Sequence, residues 1–248
     1  MDLKTFFTDN PKVALAFSGG VDSAFLLYAA ASAGADVTAY YVHSQFQPAF
    51  ELEDARRLAE ELGAKMRVLE MDVLSDDTII RNPADRCYHC KKRIFTAIAK
   101  AAAADGYAVL MDGTNASDDA ADRPGMAALG ELAVRSPLQE CGITKEAVRE
   151  LSRAANLFTW DKPAYACLAT RIPTGECITA EKLQKTEQAE AFLTRLGFSD
   201  FRVRLVGESA KLQLREDQFP LLIEKRVDIL KGLKPLYTNI LLDLEVRG

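Results

Sequence analysis

The run Ser18-Gly19-Gly20-Val21-Asp22-Ser23 holds the residue types that grip a polyphosphate. Two adjacent glycines let a main chain come close to an anion, and the free N–H groups at the positive end of a following helix point at it. Ser18 and Ser23 add hydroxyl donors. Asp22 cannot serve as a phosphate donor, so its carboxylate is placed to hold the Mg2+ that accompanies a triphosphate such as ATP. The chain has no Gly-x-x-x-x-Gly-Lys-Ser/Thr run, so this is a phosphate loop without a lysine of its own.

Two further sets of residues have chemistry. Cys87, Cys90, Cys167 and Cys177 are candidate ligands or nucleophiles, whereas Cys141 reads as a helix-end or core thiol. A C-x-x-C pair by itself suits zinc, a redox dithiol or no metal at all. Structural zinc wants four closed ligands, which Cys177 or His89 would have to complete, and His89 sits inside the pair, where it points away from a metal shared by its neighbours. Arg202 and Arg204 share one face of a period-2 strand, with Arg171 on the linker before it. Side by side they repel unless an anion lies between them, and a guanidinium fork suits phosphate. A solvated strand face is the alternative. Glu190, on a long helix, is placed either to orient one of these arginines or to join a metal site. With only His43 and His89 in the chain, a Ser-His-Asp hydrolase is excluded in practice.

These groups need a scaffold, and hydrophobic periodicity supplies it. Val13–Phe17 is a buried strand feeding the loop, and the apolar segment after it is a helix. Val37–Val42, Met66–Glu70 and Tyr107–Met111 are further strands, with helices over 51–62, from Lys92 to Ala104 and from Thr144 to Ala155. Strands alternating with helices predict an α/β fold, a parallel sheet with helices on both faces. Ligands then sit at the carboxyl ends of strands, so the loops after Phe17, Val42 (with Ser44) and Met111 (with Gly113) are expected to converge on the nucleotide. The pattern changes afterwards: a long helix over 179–196, strands at 201–206 and 211–214, a helix over roughly 216–231 and a last strand over 240–246 form a small α+β unit. The expected domains are 1–171 and 172–248.

At 248 residues the chain has room for one to two domains of about 150 residues each. A net charge of −5 gives no global basic signature of nucleic-acid binding. The N-terminus lacks a basic region followed by a long apolar core, and no run nears the roughly 18 apolar residues of a membrane span. The protein is expected in the cytoplasm, where five cysteines are not a disulfide framework.

The Ser-Gly-Gly-x-Asp-Ser loop resembles the PP-loop of the ATP pyrophosphatase superfamily. In order after it come Asn82-Pro83-Ala84-Asp85-Arg86-Cys87-Tyr88-His89-Cys90, Asp112-Gly113-Thr114-Asn115, Arg123-Pro124-Gly125, Ala166-Cys167-Leu168-Ala169-Thr170-Arg171-Ile172-Pro173 and Arg202-Val203-Arg204. Together they resemble the LarE-type sulfur transferases over nearly the whole chain. That resemblance implies adenylation of a carboxylate on a pyridinium mononucleotide, then replacement of the activated oxygen by sulfur, in the biosynthesis of a nickel-pincer cofactor. It implies ATP contacts at Ser18, Gly19, Gly20, Asp22, Ser23, Ser44, Gly113 and Arg123, and substrate-phosphate or pyrophosphate binding at Arg171, Arg202 and Arg204. Members with three cysteines hold a [4Fe-4S] cluster, which assigns Cys87, Cys90 and Cys167 as its ligands and leaves one iron open to carry sulfur; others sacrifice a cysteine, here Cys167. A homo-oligomer, with a hexamer as one form, is implied too. The rival readings are a PP-loop tRNA thiolase, an amidating synthetase of the GMP or NAD type, and a nucleotide sensor without chemistry.

Overall fold

The computed structural model describes residues 2–118 and 124–246, which separate into two compact units: 2–72 with 85–162, and 73–84 with 163–246. The second unit thus begins ahead of the expected 171/172 boundary and includes a segment taken from the middle of the first.

In the first unit, α1 (Leu3–Asp9) leads to β1 (Lys12–Ala16), α2 (Val21–Ser32), β2 (Asp36–His43), α3 (Ala49–Glu61) and β3 (Lys65–Glu70). After α4 (Asp77–Ile80), which belongs to the second unit, come α5 (Arg86–Ala104), β4 (Val109–Met111), α6 (Pro124–Glu131), α7 (Pro137–Glu140) and α8 (Lys145–Ala154). The four strands are all parallel, in the order β3-β2-β1-β4. Alternation sorts their side chains: Val13, Leu15, Val37, Ala39 and Tyr41 pack into one core with α2 and Leu58 of α3, while Ala14, Tyr40 and Val42 pack into a second with Ile98 and Ala102 of α5. Both faces are covered, as the apolar strands require.

The order places the site. From β1 the chain steps outward through β2 to β3, then returns to put β4 on the other side of β1. That reversal opens a crevice beyond the carboxyl ends of β1 and β4, where ligands settle in such sheets.

The second unit holds a helical turn (Leu168–Arg171), α9 (Ala180–Arg195), β5 (Arg202–Val206), β6 (Ser209–Gln213), α10 (Phe219–Glu224), α11 (Arg226–Leu233) and β7 (Ile240–Leu242). β5 and β6 pair antiparallel across a turn at Gly207, and β7 joins β6 in parallel. Three sequence expectations are corrected. The single helix over 216–231 is a 3-10 turn and two helices that meet at Lys225, the last strand stops at Leu242, and α5 starts at Arg86 rather than Lys92. Cys, Tyr and His are indifferent helix formers and masked that first turn, although Asp85 before it is a favoured cap residue type.

Candidate nucleotide site and cysteine segments

The loop after β1 is closed by its own hydrogen bonds. The buried Ser23 hydroxyl donates to the Gly20 carbonyl at 3.2 Å and accepts from the Ser18 N–H at 3.3 Å, so its first task is to hold the turn. The two glycines differ. Gly19 has φ +73°, a left-handed conformation that side chains resist, and it lies against α3, with the Glu51 carbonyl 3.4 Å from where a Cβ would sit. Gly20 has an ordinary φ of −78° as the residue before α2. Beneath the turn, Lys162 pairs with Glu51 at 3.1 Å and Asp54 at 2.7 Å; burial pushes the Glu51 carboxyl up and the Lys162 ammonium pulls it back.

The loop after β4 meets this turn from the other side of the crevice. Asn115 Nδ2 donates to one Asp22 carboxylate oxygen at 3.3 Å, and Lys145 Nζ, at the start of α8, donates to the other at 2.5 Å. Gly113 lies so close that a Cβ there would sit 2.8 Å from the Ser23 nitrogen and 3.1 Å from its Cα. Both atoms are backbone and cannot swing aside. Gly113→Ala is therefore expected to push the first turn of α2 off its place, to lower stability by about 1–3 kcal/mol as overpacking does, and to weaken ATP binding. Thermal denaturation with ATP titration checks this, and an alanine variant with wild-type melting and affinity would show that the crevice yields.

Ser44 is buried, and its hydroxyl donates to Gln47 Oε1 at 2.6 Å, which shapes the loop after β2. Gln47 in turn lines a cavity of about 150 Å³ beside the phosphate loop, walled by Phe17, Ser18, Val42, Ile94 and Ile98. Apolar walls with two polar groups suit a flat heterocycle. Arg123 lies outside the described residues.

Cys87 and Cys90 stand at i and i+3 on the first turn of α5, hence on one face. Arg86 Nη2 lies 3.5 Å from the Cys87 sulfur. His89 pairs with Asp85 at 3.2 Å. Cys141 is the C-cap of α7, and burial pushes its thiol up, in keeping with a helix-end thiol.

In the second unit Cys167 precedes the helical turn and is half-buried. The three arginines expected around an anion converge on its segment. Arg171 Nη1 donates to the carbonyls of Ala166 at 2.7 Å and Cys167 at 3.3 Å, Arg202 donates to Ala164 at 2.5 Å and Arg204 to Thr170 at 2.7 Å. Glu190 accepts Arg171 Nε at 2.9 Å and Nη2 at 3.0 Å, the orienting role foreseen for it, and also takes the Val203 N–H at 2.9 Å and the Tyr165 hydroxyl at 2.5 Å. Tyr165 ionises only well above its ordinary range, because it is buried and faces the Glu190 charge. Arg202 and Arg204 thus each give a guanidinium N–H to a main-chain carbonyl of this segment. Of the three, only Arg204 keeps appreciable exposure.

Residues 12–84 match the family described as queuosine biosynthesis protein QueC. Across 210 residues, 84% of this chain and 76% of the relative, the sequence is 37% identical to pyridinium-3,5-bisthiocarboxylic acid mononucleotide synthase of Lactiplantibacillus plantarum. The chain belongs to the LarE family. Two uncharacterized proteins align along it as well: one from Synechocystis, 37% identical over 88% of this chain and 81% of its own length, and one from Methanocaldococcus jannaschii, 31% identical over 96% and 91%.

For a LarE-family chain the implied groups are ATP, Mg2+ and, in the three-cysteine form, an iron–sulfur cluster. Asp22 offers the hard oxygen that Mg2+ takes, at the N-terminus of a helix whose N–H groups suit the phosphates. The thiols of Cys87, Cys90 and Cys167 have the soft donor chemistry of a cluster, though among the described residues no three His, Cys, Asp or Glu side chains are gathered as a metal site. No helix among them is long and apolar enough to cross a membrane. Lys145 and Gln47 were missed as site residues in the sequence. Lys145 lies 123 positions from Asp22, and no local pattern marks such a pairing.

Proposed function

We propose that this protein is a cytoplasmic, homo-oligomeric ATP-dependent sulfur transferase that adenylates a carboxylate of a pyridinium nucleotide, releases pyrophosphate and converts the acyl adenylate to a thiocarboxylate. The observation that carries this reading is the Ser-Gly-Gly-x-Asp-Ser loop at the reversal point of a parallel sheet, in a chain 37% identical to a thiocarboxylate-forming synthase. A carboxylate oxygen of the acceptor attacks the α-phosphorus and the bond to the β-phosphate breaks. Sulfide sulfur then adds to the acyl carbon, and AMP leaves with that oxygen.

Each step has residues to serve it. The adenine ring fits the cavity beside Phe17, Val42 and Gln47. The N–H groups of the Ser18-Gly19-Gly20 turn are assigned to the phosphates, those of Ser18 and Gly20 exchanging their bonds to the Ser23 and Ser18 hydroxyls for phosphate oxygens, with Ser18 and Ser23 as hydroxyl donors and Asp22 holding Mg2+, which supplies charge neutralisation for the departing pyrophosphate. Ser44 and Gly113 shape the loops on either side. Arg204, still partly exposed, is the candidate contact for a substrate phosphate, while Arg171 and Arg202 set the segment that carries Cys167. Cys87, Cys90 and Cys167 would hold a [4Fe-4S] cluster, whose chemistry when bound is to supply sulfur. The same three thiols leave room for a sacrificial Cys167 as the sulfur source.

One experiment tests the whole reading. Anaerobically reconstituted protein, given ATP, sulfide and a pyridinium mononucleotide bearing a carboxylate, is expected to form AMP and pyrophosphate one for one with thiocarboxylate. Wild type is expected to take up more iron than Cys87→Ala. ADP and phosphate as products would overturn the adenylation. Iron uptake equal to that of Cys87→Ala, or loss of the sulfur mass from Cys167 during turnover, would overturn the cluster.

A further inference from the structure

We propose that Lys145 is the basic residue the phosphate loop lacks: it neutralises Asp22 in the nucleotide-free protein, yields that carboxylate to Mg2+ when Mg-ATP arrives, and turns its ammonium to the β- and γ-phosphates that leave as pyrophosphate. The inference rests on the ATP reading above and adds a ligand and an exchange step to it.

Charge makes the case first. A polyphosphate loop of the Walker kind carries a lysine that reaches the β- and γ-phosphates, and the run Ser18 to Ser23 has none. Backbone N–H groups and one divalent ion leave a triphosphate undercompensated, so a cation from elsewhere in the fold is called for. The structure puts one at the loop: Lys145 Nζ lies 2.5 Å from Asp22 Oδ2, while Asn115 holds Oδ1 at 3.3 Å.

Geometry makes the case for exchange. An ammonium at hydrogen-bond distance and a Mg2+ ion on the same carboxylate oxygen repel each other, so each weakens the other's hold there. Metal binding at Oδ2 therefore favours release of Lys145. The lysine can move without unfolding anything. Its backbone N–H donates to the Ser117 hydroxyl at 3.0 Å, and the Thr144 hydroxyl caps α8 by accepting from the Ala147 N–H at 3.3 Å, so the main chain stays anchored. The ammonium itself sits on a flexible four-carbon stem whose side chain is 35% exposed, next to the crevice where the phosphates bind. Until nucleotide arrives, the pair keeps Asp22 from standing uncompensated beside Asn115, and the loop stays folded.

The test uses the purified full chain and reads binding rather than turnover. In Lys145→Met, Mn2+ bound without nucleotide, followed by electron paramagnetic resonance, is expected to tighten severalfold, because the competing cation is gone. Mg-ATP and Mg-pyrophosphate, followed by calorimetry, are expected to bind about ten- to a hundredfold more weakly, the equivalent of one hydrogen bond to a charged group. Lys145→Arg is expected to recover part of the phosphate affinity. Wild-type protein gives a second readout that does not depend on the variant folding: in reductive methylation read by mass spectrometry, Mg2+ alone is expected to speed labelling of Lys145, and Mg-pyrophosphate to protect it. Unchanged Mn2+ and Mg-ATP affinities in Lys145→Met, or wild-type labelling indifferent to both additions, would make Lys145 a structural partner of Asp22 and nothing more. Failure of wild type itself to bind Mg-ATP would instead bring down the ATP reading.

Discussion

Asp22→Asn is expected to lower AMP and pyrophosphate formation by about 10²–10³-fold or more, the scale seen when one preorganised charge-stabilising group is removed. Asparagine keeps the shape of the side chain but loses the charge that pairs with Lys145 and that the proposed mechanism assigns to Mg2+. The fold is expected to survive, because the Asp22–Lys145 pair is partly exposed, with side chains 22% and 35% accessible, and such pairs contribute about 0–1 kcal/mol. Pyrophosphate release under saturating ATP, set beside a urea titration, separates the two effects. Turnover within tenfold of wild type would remove the metal role from Asp22.

The largest effect on stability is expected at Arg171→Met. Arg171 is fully buried, and its guanidinium joins Glu190, Thr170 and the carbonyls of Ala166 and Cys167. Removing it takes the bidentate guanidinium partner from Glu190, itself buried, and leaves the Tyr165 hydroxyl and the Val203 N–H as neutral donors to its charge. Breaking a buried pair on one side typically costs about 3–5 kcal/mol, a large share of the roughly 5–15 kcal/mol by which domains are stable. The double variant Arg171→Met with Glu190→Gln is expected to regain part of that loss, since no buried charge then stands alone. Urea midpoints for the two singles and the double check the coupling. A single Arg171 variant within 1 kcal/mol of wild type would mean that Glu190 finds other compensation.

The phosphate loop was legible because strand, glycine turn, carboxylate and helix are consecutive, so their chemistry shows in a short stretch. The parallel sheet was legible for a similar reason: alternating apolar strands and helices of matching length have few other ways to bury both faces. The second unit's hairpin and long helix also follow from local periodicity. What the chain order alone left undecided is which distant groups meet. Gly113 presses on Ser23, and Lys145 reaches Asp22, only because β4 lies beside β1, a pairing made by tertiary packing rather than by any adjacent residues. The segment 73–84 belongs to the second unit for the same kind of reason. Asn82, at a left-handed φ of +52°, donates to the carbonyls of Ile172 at 3.2 Å and Pro173 at 2.8 Å and accepts from the Gly175 N–H at 2.8 Å. The arginines make the contrast plainest. Their spacing told that two guanidiniums share a strand face, but whether an anion, water or carbonyl oxygens would answer those charges depended on how the Ala164–Thr170 segment folds back over them. Periodicity reports which face a side chain takes; only the packed chain decides what it meets there.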